Sequence, residues 1–268
     1  MASPVQLTDV SVVYEKFPVL DSISLWLPPG RTTVVIGPSG CGKSTLLKTA
    51  AGLVVPNSGK VELLGSDLAR ISERDLRELR TRSGFVFQDG ALWQNMNAWQ
   101  NLALPLEYHN PEMTGKEVAQ RIRSVLADLG YTSDTQLRPA QLSAGEQKII
   151  SFARALVADP EIIFVDEPTT SVDGETSERM IRKLKSMKER GKTVIVVTHD
   201  PEMASQLAEY IVVLKKGKLL AAGPVVDVIR SADSETRSIL SDVLAEAATY
   251  DTDILSLLGG ESDPFPGE

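Results

Sequence analysis

Nine consecutive residues, Gly37-Pro38-Ser39-Gly40-Cys41-Gly42-Lys43-Ser44-Thr45, fit the pattern G-x-x-x-x-G-K-[ST]. Such a loop binds phosphate, because its glycines permit tight turns that aim successive backbone N–H groups at the anion. Lys43 is placed to reach the outer phosphates, and the Ser44 hydroxyl to ligate a magnesium ion. A second element with chemical content is Ile162-Ile163-Phe164-Val165-Asp166-Glu167, an apolar run closed by two acids. Asp166 can hold the metal through its shell, and Glu167 can polarise an attacking water. Paired acids at a strand end are common solvated residues, so this element takes its meaning from the phosphate loop.

Gln88 ends the apolar run Gly84–Phe87, where an amide oxygen can touch the metal or its water. His199 follows Thr193–Val197 and Thr198. A lone histidine usually serves a structural hydrogen bond, but at the end of a core strand it can contact a terminal phosphate. Residues 142–147, LSAGEQ, hold no nucleophile–base pair. The apolar period Ile149, Ile150, Phe152, Ala153, Leu156 follows at once, which puts Ser143 at a helix N-cap. A helix start offers an anion free N–H groups and the positive end of the dipole.

Regular elements must carry these groups. Alternation at Val10, Val12 and Tyr14, then at Ile23, Leu25 and Leu27, predicts two half-buried strands. Thr33–Ile36 predicts a buried strand feeding the phosphate loop, and a helix follows from Thr45 to Ala51. Val61–Leu64 reads as a further short strand, and residues 73–82 as a charged helix. Between Asp89 and Val157 the patterns are mostly helical, which predicts a helical subdomain inserted in an α/β core. Ile162–Val165 and Thr193–Val197 are β-branched runs of the kind found in inner parallel strands. A helix from about Glu175 to Glu189 joins them as a βαβ unit requires.

Composition bounds the function. The 268 residues carry 36 Asp+Glu against 28 Lys+Arg, a formal net charge of -8. Such a surface gives no general attraction to nucleic acid or anionic lipid, so no nucleic-acid partner is expected. The first ten residues have neither a basic start nor an apolar core, so no signal peptide is expected. No apolar run approaches the ~20 residues of a spanning helix, so a membrane role requires a partner. The single cysteine, Cys41, excludes an intramolecular disulfide and a cysteine cluster for zinc.

The phosphate loop, Gln88, LSAGEQ, the VDEP of residues 165–168, Ser171-Val172-Asp173 and His199 occur in the order found in ATP-binding cassette (ABC) ATPases. The resemblance covers residue 5 to about residue 224. It implies an α/β P-loop NTPase with a RecA-like core sheet, an N-terminal antiparallel β subdomain and an inserted helical subdomain at about 89–157. It implies ATP and Mg²⁺ as cofactors, with Ser44, Gln88 and Asp166 around the metal and residues 37–45 around the phosphates. By the same resemblance Tyr14 stacks on adenine, Gln88 is the lever glutamine, Glu167 the base, Asp173 the subunit-crossing aspartate and His199 the switch histidine. Two copies meet head to tail, so that Ser143 and Gly145 of one read the γ-phosphate held by the other. The family pattern is LSGGQ, and Ala144 and Glu146 depart from it by a methyl group and a negative charge.

Residues 88–106, QDGALWQNMNAWQNLALPL, follow the lever glutamine, where the family's transporters receive a helix from the membrane subunit. Their wording resembles the Mla-type ATPases that drive phospholipid transport with MCE-domain proteins, as does TYDTDILSLLG at 249–259. That resemblance implies permease subunits, an MCE-type lipid-binding partner and a peripheral place on the cytoplasmic face of the inner membrane. The TTSVDG of residues 169–174 and LSAGEQ are not that subfamily's usual wording. An ATPase for another cargo, such as an amino acid or a lipoprotein, and a soluble non-transport cassette are the alternatives. Residues 225–268 read as a C-terminal extension in which Ile254, Leu255, Leu257 and Leu258 are expected to dock on the second copy.

Overall fold

The protein is seen in a computed structural model that describes residues 3–244. The expected dimer contact around Ile254–Leu258, and the 249–259 segment with it, lie outside the described residues.

Two sheets form the frame. The first has the order β2-β1-β4-β5, with β1 (Val5–Tyr14), β2 (Phe17–Leu27), β4 (Ser58–Leu63) and β5 (Ser66–Asp67), all pairing antiparallel. The second has six strands in the order β10-β9-β3-β8-β7-β6. These are β3 (Thr32–Ile36), β6 (Ser83–Val86), β7 (Ile162–Asp166), β8 (Thr193–Val197), β9 (Tyr210–Lys215) and β10 (Lys218–Pro224). The strands from β6 to β9 run parallel, and β10 returns antiparallel beside β9.

Every residue of β3, β7 and β8 is buried, as expected for strands covered on both faces. Their side chains alternate between two cores. Val35, Phe164, Ile195, Val197, Val212 and Leu214 face the N-terminal sheet and helix α1 (Lys43–Ala50). Val34, Ile36, Ile163, Val165, Val194 and Val196 face the opposite layer of helices.

Between β6 and β7 the described chain is helical, as the pattern predicts: α3 (Ala98–His109), α4 (Gly115–Asp128), a 3₁₀ turn and α5 (Ala144–Leu156). Helix α2 (Glu73–Thr81) precedes β6, while α6 (Gly174–Glu189) and α7 (Pro201–Leu207) flank β8. The fold is that of an α/β P-loop NTPase with a mixed core sheet and a helical subdomain.

Past residue 224 the chain turns back on this body. Val228 and Ile229 of α8 (Val225–Ser231), and Ile239 and Leu240 of α9 (Ser234–Leu244), are buried in the same core as β3 and α7. The start of the extension is therefore part of the domain's own core. A polar tail would not have buried these side chains, each worth about 1.5–3 kcal/mol of transfer free energy.

Candidate active site

Parallel pairing brings the chemistry to one edge. Val35 of β3 pairs with Val197 of β8, Val197 with Asp166 of β7, and Val165 with Val86 of β6. The residues after these strands are the phosphate loop, His199, Glu167 and Gln88, which emerge side by side at the carboxyl ends of the strands. They line one cavity of about 370 Å³ together with Ser39, Gly40, Gly42, Lys43, Ser44, Thr45 and Val19.

Backbone shape makes the loop. Gly42 has φ 105, and a Cβ there would stand 2.7 Å from the Val19 carbonyl oxygen. A Cβ on Gly37 would meet the Leu214 carbonyl oxygen at 2.1 Å. Neither position can carry a side chain, which lets the loop close against β2 and β9. Gly42 also caps α1 in the left-handed conformation, so the start of that helix faces the cavity.

Lys43 is buried, and its Nζ donates to the carbonyl oxygens of Gly37 and Pro38 at 2.8 and 3.1 Å. Burial lowers its pKa, partly offset by Cys41, Glu167 and Asp166. Cys41 lies beneath the loop, only 6% exposed, and burial raises its thiol pKa.

The Ser44 hydroxyl donates to Asp166 Oδ1 at 2.9 Å, and Asp166 Oδ2 is buried with no protein partner. A hydroxyl, an amide oxygen at Gln88 and a carboxylate with an open oxygen are hard donors suited to Mg²⁺. These donors fit that ion and would hold it beside a bound phosphate. Burial raises the pKa of Asp166, and a bound cation would oppose that shift.

Glu167 is 7% exposed and adopts a left-handed backbone, φ 46. Its N–H donates to the Val197 carbonyl at 2.9 Å, and its Oε2 accepts the His199 backbone N–H at 3.1 Å. The His199 ring stands nearby, Nε2 lying 3.3 Å from Oε1. Burial raises the Glu167 pKa; burial, with Lys43, lowers that of His199. A carboxylate held in this way in the lining of the cavity can accept a proton from water.

The remaining sequence candidates stand elsewhere. Tyr14 ends β1 opposite Phe17, half exposed, and is not among the residues lining the cavity. Ser143 caps α5, and Gly145 lies against the loop of Ser171 and Val172, where an added Cβ would meet the Ser171 carbonyl at 3.2 Å. Asp173 caps α6, with its two oxygens accepting from the Thr176 N–H and hydroxyl at 2.9 and 2.8 Å. These three residues form a second surface, away from the cavity of their own chain.

Two further residues, Glu146 and Lys148, shape the start of α5 and its contact with the site. Glu146 completes a capping box: its Oε2 accepts from the Ser143 N–H at 2.8 Å and the Ser143 hydroxyl at 2.7 Å, while Oε1 is held by Ser133. The spacing S-x-x-E carries that signal. Lys148, buried in the third position beyond Gly145, donates its Nζ to the backbone carbonyls of Gln88 and Glu167. No local pattern announces this contact.

The ABC transporter family model matches residues 20–170. The methionine import ATP-binding protein MetN of Rhizobium meliloti (strain 1021) is 36% identical over 227 residues, covering 84% of this chain and 63% of the relative. The Fe(3+) ions import ATP-binding protein FbpC 1 of the same strain is 33% identical over 249 residues, covering 92% and 67%. The chain thus spans 63% to 67% of the length of these two relatives. Both names specify import, of methionine or iron ions. The fold matches the dimeric ATP-binding cassette MJ0796 in a post-hydrolysis state bound to ADP and Pi. That match has a TM-score of 0.77 and 33% identity, over 82% of this chain and 98% of that one. The chain belongs to the ABC transporter family and is an ATP-binding, ATP-hydrolysing cassette of that family.

Proposed function

We propose that this cassette pairs head to tail with a second copy and drives import of an amino acid or similarly small solute through membrane permease subunits. The observation that carries the pairing is the division of the site into two surfaces. The phosphate loop, Asp166, Glu167 and His199 surround one cavity, while Ser143, Gly145 and Asp173 stand apart on the starts of two helices. A second copy brings its own helix start to the γ-phosphate, so ATP binding favours closure and hydrolysis removes the contact that favoured it. The dimeric state of MJ0796 supports this arrangement.

In this reading residues 37–45 and Lys43 hold the triphosphate, and Ser44, Gln88 and Asp166 hold Mg²⁺. The cation, when bound, neutralises charge on the phosphate oxygens. Glu167 takes a proton from the attacking water, His199 orients that carboxylate, and Tyr14 offers a ring for adenine.

Beside Gln88 a groove of about 440 Å³ includes Phe85, Phe87, Trp93, Leu104, Pro105 and Tyr108 in its lining. Trp93 and Tyr108 are largely exposed, and Asn101, fully buried, shapes the adjoining loop through four hydrogen bonds to Trp93, Met96 and Asn97. An apolar groove next to the lever glutamine suits a permease helix, which would place the cassette at the cytoplasmic face of the inner membrane. Among the described residues no helix is long and apolar enough to cross a membrane.

The names of the relatives support amino-acid import as the cargo. The sequence of the groove favours a second reading, phospholipid transport with an MCE-type partner. Affinity purification from the native membrane separates the two. Recovery of a permease and a small-solute binding protein, with ATP-dependent methionine uptake, supports import. Recovery of an MCE protein instead moves the assignment to lipid.

A further inference from the structure

Helix α5 begins at Ser143 and carries a cation into the heart of the site. Lys148 is 8% exposed, and two of its N–H groups go to backbone carbonyls, those of Gln88 and Glu167, the latter at 3.2 Å. Those are the two residues read as metal-side lever and base. Among the described residues Lys148 has no carboxylate within ion-pairing distance, so its hydrogen bonds are directed at main chain rather than at a charge.

Packing alone does not call for a lysine here. An unbranched apolar chain such as methionine fills similar volume without the desolvation of an ammonium group. Burial does lower the Lys148 pKa, opposed by Asp166, Asp89 and Glu167. The lysine is therefore buried at a cost in solvation, and its partners indicate what the ammonium does there. Glu167 holds a left-handed backbone that a β-carbon disfavours, φ 46. Its N–H is fastened to Val197, and its carbonyl is fastened to Lys148. Gln88 lies beyond the last residue of β6 and is tied at its carbonyl to the same ammonium.

We propose that Lys148 is a positioning residue for hydrolysis, tying the helix that starts at Ser143 to the backbones that aim Gln88 and Glu167. Because α5 is a rigid rod, a displacement of its start moves Lys148, and with it two carbonyls of the reacting site. The contact thus links the surface offered to the second copy with the geometry of the base. This inference rests on the roles given above to Glu167 and Gln88.

The test uses the purified full chain with Mg-ATP. Lys148→Met should lower kcat by about 10–100-fold, as expected when a base is slightly misplaced. ATP binding at equilibrium should stay within about twofold of the parent, a split that general destabilisation would not produce. Lys148→Arg, which keeps donors at a shifted position, should recover part of kcat. In a double-mutant cycle, Gln88→Ala should cost less in the Lys148→Met background than alone, because the lever is already displaced. Unchanged kcat in Lys148→Met, or additive effects with Gln88→Ala, overturns the proposal. If Lys148→Met does not fold, the same kcat split and cycle are read in Lys148→Arg, where parental kcat overturns it. Glu167→Gln serves as control. Continued turnover in that variant removes the base assignment, while the Gln88 cycle still judges Lys148 by itself.

Discussion

His199 meets Glu167 through both its backbone and its ring: its N–H donates to Oε2 at 3.1 Å, and Nε2 lies 3.3 Å from Oε1. The carboxylate is thereby oriented, but burial still raises its pKa. The folded protein holds this proton in a pH interval where the unfolded chain has released it. Stability from Glu167 is therefore lost as pH rises through that interval. Glu167→Gln should melt above the parent at pH 7, and the gap should vanish below about pH 4, where both states are protonated. The same variant should bind ATP and show no steady turnover. A melting point at or below the parent's at pH 7 would contradict the burial argument.

Lys43 Nζ donates to two acceptors on its own loop, the carbonyl oxygens of Gly37 and Pro38, which pre-set the ammonium at the floor of the cavity. Lys43→Ala should weaken ATP binding roughly 10–100-fold, the worth of one or two charge-assisted hydrogen bonds. Calorimetric titration with ATP measures this directly. An unchanged Kd would show that the lysine acts only after binding.

Cys41 belongs to the phosphate loop by sequence, yet its thiol is buried beneath it and its pKa is raised. Thiolate is the reactive form, so maleimide should label the native protein slowly and the denatured protein fully. Mass spectrometry over a time course reads this. Rapid native labelling would mean that the loop opens often.

In the proposed head-to-tail dimer, Glu146 would compete with an incoming phosphate for the hydrogens of Ser143. Glu146 takes both the N–H and the hydroxyl proton of Ser143, and its pKa is lowered by Ser133 first and then by Ser143. Glutamine keeps the capping box without the charge. In a Glu167→Gln background, Glu146→Gln should tighten ATP-dependent dimerisation about fivefold, the equivalent of ~1 kcal/mol. Ser143→Arg should abolish dimerisation while leaving ATP binding to the single chain intact. Sedimentation velocity with and without ATP distinguishes these outcomes, and dimerisation by Ser143→Arg would refute the head-to-tail reading.

Leu240 of α9 is fully buried in the core shared with β3 and α7. Leu240→Ala should cost about 2–5 kcal/mol, as other buried leucine truncations do. Denaturant unfolding measures it. A loss under ~0.5 kcal/mol, the range of surface changes, would mean that α9 is not part of the domain's stability.

Local chemistry made much of this protein legible in one dimension. The glycine spacing of residues 37–45, the mostly apolar, β-branched runs of β3, β7 and β8 and the N-cap at Ser143 each satisfy a constraint within a few residues, so each shows in the order of letters. The acids ending β7 and the glutamine and histidine near the ends of β6 and β8 were readable as candidates for the same reason. What joined them was strand order. β3 lies beside β8, and β8 beside β7, although more than a hundred residues separate β3 from either in the chain. That order is set by how two cores and a layer of helices pack on one sheet, and no window of sequence contains it. Tertiary packing also buried Lys148 against two main-chain carbonyls, sank Cys41 under its loop and folded α8 and α9 into the core. Each of these depends on the distance between residues far apart in the chain. The physical reason is that periodicity and capping arise from neighbours along the backbone, whereas desolvation and positioning arise from neighbours in space.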